Sequence, residues 1–144
     1  MGKKPKSIGF QLKGISSNQF AIIEDLYIQD DEPKLNASFS YAFEGGARMI
    51  TCRAKFTFTG SKGIFMIIEG SCHFIIESLS WQKMLLDDNK IKVDKSFALH
   101  ITSLTIGTVR GMLHAKTEQT VYNLIFIPTI NMQDILSEDV ILGD

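Results

Sequence analysis

Two cysteines and three histidines are the residues best suited to covalent or metal chemistry in this chain of 144 residues. Cys72 and His73 are adjacent, which puts a thiol beside an imidazole base. Nucleophilic catalysis needs such a pair within hydrogen-bond reach and a third group to orient the base. The surrounding residues read as a β-strand, where neighbouring side chains point to opposite faces, so the two are not expected to meet. Cys52, Cys72, His73, His100 and His114 also lack the close ligand pairs of a zinc site, such as C-x-x-C or H-x-x-x-H. No dinucleotide-binding, P-loop or H-E-x-x-H pattern occurs. Gly107 and Gly111 stand four apart in a helical stretch, a spacing that outside a bilayer indicates at most close packing. The expectation is a protein that is not an enzyme and holds neither metal nor cofactor.

Composition bounds the remaining choices. An apolar fraction of 44% and a charged fraction of 22% are ordinary for a globular protein. The length fits one domain over 1–144, with 1–7 and 137–144 as flexible tails. Fifteen basic and sixteen acidic residues give a formal charge of -1, without the basic stripe of a nucleic-acid binder. Lys3, Lys4 and Lys6 read as a solvated terminus. The longest apolar run, 64–68, is far short of the roughly 20 residues of a membrane span. The lysine-rich start leads into no signal-peptide core, and Lys6 breaks the myristoylation pattern. No nucleic-acid partner and no membrane insertion are expected, and the cytoplasm is the expected compartment.

The elements come mainly from period-two alternation. Ile50, Cys52, Ala54, Phe56 and Phe58 alternate with polar residues over 48–59, as do Leu35, Ala37, Phe39, Tyr41 and Phe43 over 35–43. Each is a strand with one buried face, joined through Gly45-Gly46 as a hairpin. A third strand over 63–78 is apolar on both faces, and Gly70 in its middle suggests a bulge or bend. Two shorter strands are expected at 8–15 and 20–23, with Asp87-Asp88-Asn89-Lys90 as a polar loop. Over 96–116 the period becomes helical, with one stripe of Phe97, Ile101, Leu104 and Met112 and another of Leu99, Ile106, Val109 and Leu113. Either the second stripe meets another subunit, or both share one broad core face. Residues 122–127 read as extended, and Asn131 as the cap of a short helix through Leu136. Strands followed by helices place the fold in the α+β class.

Six methionines and ten phenylalanines chiefly suit a core, although such side chains also build adaptable binding surfaces. The acidic residues Glu24, Asp25, Asp30, Asp31 and Glu32 read as a polar loop.

Several short matches resemble the SecB family of preprotein-export chaperones. Phe10-Gln11-Leu12-Lys13-Gly14-Ile15 resembles the family's opening strand, and Gly70-Ser71-Cys72-His73-Phe74 falls where the family has a strand reading toward G-x-F. Val109-Arg110 matches the family's helix signature, and Ile127-Pro128-Thr129-Ile130-Asn131-Met132 is similar to its L-[AP]-P-[VI]-N-F. Arg110 and Asn131 stand 21 apart, in register with both landmarks. The chain departs from the family at Gly107-Thr108, at Met132, and in roughly a dozen extra residues around 83–94.

The resemblance implies a four-stranded antiparallel sheet with a long helix packed on it and a short C-terminal helix, assembled as a dimer of dimers. It implies a chaperone for non-native polypeptides, held in apolar grooves. The family delivers clients to the motor SecA through an acidic sheet surface and a basic tail. Here the polar strand face carries Arg53 and Lys55 and the tail is acidic, so SecA hand-off is not expected. The expected peptide contacts are Phe56, Phe58, Phe65, Phe74, Ile76, Tyr122 and Phe126, and the expected subunit contacts are Leu99, Ile106, Val109 and Leu113. The alternative is a dedicated interaction module on the same fold, such as a toxin–antitoxin partner chaperone.

Overall fold

A computed structural model describes residues 7–143. Most of the tail expected over 1–7, and Asp144 of the other, lie outside the described residues. Strand β1 (Phe10–Ile22) leads through a crossover loop to β2 (Lys34–Glu44), β3 (Met49–Gly60) and β4 (Gly63–Ile76). These form one antiparallel sheet in the order β1-β4-β3-β2. Helix α1 (Ser78–Met84) and the hairpin β5 (Leu85–Leu86) and β6 (Lys90–Val93) precede the long helix α2 (Lys95–Thr117), and β7 (Val140–Leu142) comes last.

The alternating residues sort as expected. Ile50, Cys52, Ala54, Phe56 and Phe58 of β3 all face α2 and are buried, as are Met66, Ile68, Cys72, Phe74 and Ile76 of β4. The two stretches expected as separate strands at 8–15 and 20–23 are instead one strand. Irregularities in its register at Leu12/Gly14 and Ser17/Gln19 let it continue through the polar Ser16-Ser17-Asn18.

Gly70 is not a bulge. It pairs in register with Ala54 of β3 and Ser17 of β1, and α2 seats on the small residues Gly70 and Ala54. A Cβ on Gly70 would stand 2.9 Å from Val109 Cγ2 and 3.2 Å from Met112 Sδ. By contrast, Gly107 and Gly111 meet nothing within 4 Å at that position, so the close-packing reading of their spacing does not apply.

Helix α2 hides most of both apolar stripes within its own chain, and Leu104 of the first stripe stays 41% exposed. Phe97, Ile101, Ile106, Val109 and Leu113 are all buried, and Leu99 and Met112 are half-buried. The partner of the second stripe is the segment after the helix, which doubles back so that Tyr122 and Ile127 join Ile106, Val109 and Leu113 in one cluster. Thr102, Thr105 and Thr117 are buried as well, because their hydroxyls donate to the carbonyls of Ala98, Ile101 and Leu113 one turn earlier. Buried threonines of this kind blur the apolar stripes without costing unsatisfied groups.

The extra residues around 83–94 form the β5–β6 hairpin, whose turn places Asp88 and Asn89 at positive φ, a conformation Asp and Asn tolerate best. The tail expected to fray supplies β7, which pairs with β6 from Ile91↔Leu142 to Val93↔Val140. Ile91 and Val93 then join Trp81, Met84 and Phe97 in a second cluster under the first half of α2.

Candidate functional site

The clearest concave apolar surface lies where the crossover loop faces the segment after α2. The loop contributes Tyr27, Ile28, Asp31 and Pro33, and the returning segment contributes Val121, Leu124, Ile125 and Phe126. Together they enclose a groove of about 420 Å³, floored by Phe58 and Phe65. A register shift at Phe58/Thr59 leaves Phe65 as the extra residue of β4, and a bulge of this kind re-aims a side chain. Its ring meets Tyr27 at 5.0 Å, and Tyr27 meets Tyr122 at 4.8 Å, so three aromatics brace the groove from below. The far wall is unusual for a folded chain. Val121, Leu124 and Phe126 are 50%, 79% and 60% exposed.

Two polar devices hold the walls. The first is Arg110, whose Nε donates to the Ile127 carbonyl and whose Nη2 donates to the Pro128 carbonyl, both at 2.8 Å. This clamp fixes the returning segment against α2, and Asn131 then starts a 3-10 turn by accepting the Gln133 N–H. The turn covers only Met132–Asp134, shorter than the helix expected through Leu136. Likewise, the stretch expected as extended from Tyr122 begins as a 3-10 turn over Val121–Leu124, capped by Thr120. Hydrogen bonds from a charged donor are worth about 1.5–3 kcal/mol. Arg110→Ala is expected to lower stability by roughly 2 kcal/mol in urea unfolding, and Arg110→Lys to recover less than half of the loss, because an ammonium lacks the guanidinium fork.

The second device is Asp31, whose carboxylate accepts the Ser61 N–H at 2.9 Å and the Ser61 hydroxyl at 2.8 Å, tying the crossover loop to the β3–β4 turn. These bonds, the backbone one first, hold the Asp31 carboxyl below its ordinary 3.8. A depressed carboxylate contributes stability above its unfolded-state value, and the contribution is lost as pH falls through the folded value. The tether is therefore intact near neutrality and released below about pH 4. Asp31→Asn should lower the melting temperature slightly near neutrality and leave it unchanged at the acid end, which flattens the acid limb of a plot of melting temperature against pH.

A second depression of about 410 Å³ continues along β2, between Ala37, Phe39 and Tyr41 on one side and Ile130, Ile135 and Leu136 on the other.

Of the residues expected to contact peptide, Phe56, Phe58, Phe65, Phe74, Ile76 and Tyr122 lie within the chain's own core, and Phe126 is exposed on the groove wall. Phe58 and Phe65 still line the groove as its floor. Phe56 sits under α2, while Phe74 and Ile76 are closed off by the cluster around Trp81. Of the expected subunit contacts, Ile106, Val109 and Leu113 are buried within the chain, and Leu99 is half-buried. Sequence reading missed Val121 and Leu124, although two large apolar residues beside polar Asn123 form no strand or helix pattern and could have been flagged for that reason.

Cys72 and His73 point to opposite faces, as expected. Cys72 is buried opposite Cys52, and burial pushes the Cys52 thiol up, which keeps it protonated and a poor nucleophile. His73 lies on the outer face between two hydroxyls, its Nε2 at 2.7 Å from Ser16 Oγ and its Nδ1 at 2.8 Å from Thr51 Oγ1. Both ring nitrogens are thus engaged by hydroxyls on the outer face of the sheet. Among the described residues, no group of three or more His, Cys, Asp or Glu could hold a metal ion. No helix among them is long and apolar enough to cross a membrane.

No protein-family model matches the chain, and no curated protein matches it in sequence. Solved structures do match in shape. One is the SecB-like chaperone Rv1957 of Mycobacterium tuberculosis in complex with a ChAD peptide from the HigA1 antitoxin, with a TM-score of 0.56 at 10% identity. The match covers 85% of this chain and 90% of that one. The fold is SecB-like. A protein of unknown function from Streptococcus agalactiae also aligns, with a TM-score of 0.46 at 12% identity over 86% of this chain and all of that one. In the SecB-like fold of this chain, the Arg110 clamp joins two of the stretches read from the sequence as resembling the family, Val109-Arg110 and Ile127-Pro128.

Proposed function

We propose that this chain is an ATP-independent chaperone that binds non-native polypeptides in its apolar groove. The observation that carries the reading is the wall of Val121, Leu124 and Phe126, three large apolar side chains left in water above an aromatic floor. Burying such surface stabilises a complex by about 25 cal/mol per Å² without demanding a particular sequence. Phe126 keeps the role expected for it, and Val121 and Leu124 take the place of the buried phenylalanines. The likeness of fold to a chaperone bound to a peptide supports a polypeptide ligand. The cytoplasm is the compartment proposed for it.

The proposal includes a homo-oligomer, a dimer of dimers as the resemblance implies. Its contacts cannot be Ile106, Val109 and Leu113. Leu12 and Ile15 are better candidates, since they pair with the inward-facing Phe74 and Cys72 yet are 47% and 54% exposed on an edge strand. Hand-off to SecA is not part of the proposal, because the outer face of β3 carries Arg53 and Lys55 among threonines where an acidic surface would be needed.

The test is aggregation of a chemically denatured client diluted into buffer. Suppression near equimolar oligomer is expected, and none at a severalfold excess would end the chaperone reading. A second reading, a dedicated partner chaperone, is favoured by the antitoxin peptide held by the structural neighbour. Capture from the native host separates them, one stoichiometric partner supporting the second reading and a broad set of clients the first.

A further inference from the structure

We infer that the C-terminal strap, residues 137–142, fills a second polypeptide site on the β5–β6 hairpin, from which an incoming extended segment displaces it. The inference rests on the polypeptide-binding reading above. The strap ends in β7, which pairs with β6 through only three residues, Val140, Ile141 and Leu142. They form an outer strand of the three-stranded sheet β5-β6-β7. Val140 and Leu142 are half-buried against the cluster of Ile91, Val93 and Trp81, while Ile141 between them is 61% exposed. Ser137, Glu138 and Asp139, which lead into β7, are all exposed. A short terminal strand with so little buried is among the first parts of a fold to open.

One carboxylate supplies the side-chain hold. Asp139 Oδ1 accepts the Lys95 N–H at 2.8 Å, and its Oδ2 lies 3.5 Å from Lys92 Nζ. The two side chains of that ion pair are 50% and 40% exposed, and ion pairs in water contribute little. The bond to Lys95 caps the start of α2 from 44 residues away. Asp94 meanwhile stands at the N-cap position and makes no side-chain cap bond. An aspartate there can accept from the second or third N–H of the helix, so Asp94 takes over when Asp139 leaves. Release of the strap costs the long helix little.

What the strap leaves behind is shaped for another extended chain. Ile91 and Val93 are buried beneath it, and Lys92 between them is exposed. Without the strap, β6 offers an edge of main-chain N–H and C=O groups beside apolar side chains at alternate positions. The occupant is written in the strap itself, Val140-Ile141-Leu142: an extended segment with apolar residues two apart. Leu136, at the end of the second depression, packs on the same cluster, so the vacated site continues an apolar surface already open to water. Both strands of the hairpin fall in the extra residues around 83–94, which makes the site particular to this chain.

The test locks the strap in the full chain. Lys92 and Ile141 are directly paired and both exposed, so Lys92→Cys with Ile141→Cys places two thiols to close on oxidation and open with dithiothreitol. Cys52 and Cys72 are buried and stay out of the exchange. The probe is a fluorescent peptide with the strap's own sequence, residues 137–143. The reduced lock is expected to bind it, and the oxidised lock at least about tenfold more weakly. In the parent the tethered strap competes at high effective concentration, so Asp139→Ala should bind the peptide about fivefold more tightly than the parent does. A reduced, carboxymethylated protein that stays unfolded should speed hydrogen exchange at 140–142 of the parent and leave 91–93 protected. Equal peptide binding by the two lock forms, or none by either, overturns the strap site, and polypeptide binding stands if client aggregation is still suppressed. Strap amides that stay protected in the complex with unfolded protein overturn it without any substitution. If the parent binds no unfolded protein at all, both readings fall.

Discussion

A chain carrying Leu124→Asp and Phe126→Asp together loses suppression of client aggregation and binds an unfolded segment about a hundredfold more weakly, with its melting temperature nearly unchanged. Both side chains are mostly in water in the free protein, at 79% and 60% exposure, so the fold has little invested in them. Surface changes of this kind alter stability by about 0.5 kcal/mol or less. In a complex each would be covered, and covering a Leu or Phe is worth about 1.5–3 kcal/mol when complete. Half of that for each residue comes to roughly 2–3 kcal/mol, or about two orders of magnitude in affinity. The carboxylates add a desolvation cost in the same direction. Fluorescence anisotropy and a thermal melt on the same sample check the two halves of the prediction. Parental affinity in the variant would remove the groove from consideration, and a collapse in melting temperature would show that the wall is structural.

Gly70→Val is expected to act in the opposite sense, damaging the fold by about 3 kcal/mol without touching the groove. The added Cβ alone falls 2.9 Å from Val109 Cγ2, and Val109 is fully buried with a branched side chain that has few rotamers to escape into. The helix must therefore lift from its seat on Ala54 and Gly70. Overpacking of this kind costs about 1–3 kcal/mol and occasionally more. For a chain of this length that corresponds to roughly 10 °C in melting temperature. Gly70→Ala should fall between valine and the parent. A valine variant as stable as the parent would mean that α2 can shift along the sheet, and the account of the seat would be wrong.

These two residues mark how far the sequence could be read. Strands β2 and β3, the hairpin between them and the long helix were legible because a strand's inward side is written into every second residue. Arg110 and Ile127-Pro128 stood out in the sequence only by resemblance and spacing, and the structure adds a contact between them, a guanidinium holding two carbonyls. Gly70 carried the right signal, a strand glycine with a special task, but a bulge and a close helix approach look alike in one dimension. The burial of Phe56 and Phe74 in the chain's own core could not be read, because apolar character does not distinguish a side chain that meets its own helix from one that meets a guest. Pairing of the 140–142 strand with Ile91–Val93 could not be read, since each strand is short and they lie far apart in sequence.

By itself the sequence determined the fold class, the alternating inner face of the central sheet and the lack of any spaced set of ligands or nucleophiles. Those properties depend on residue type at short range, where periodicity is fixed by backbone geometry. Only the tertiary structure decided that α2 spends most of both apolar stripes on its own chain, and that much of the surplus apolar surface lies on Leu124, Phe126 and the β1 edge. Which greasy side chain stays in water depends on what the distant parts of the chain cover, and that is a property of the assembled surface.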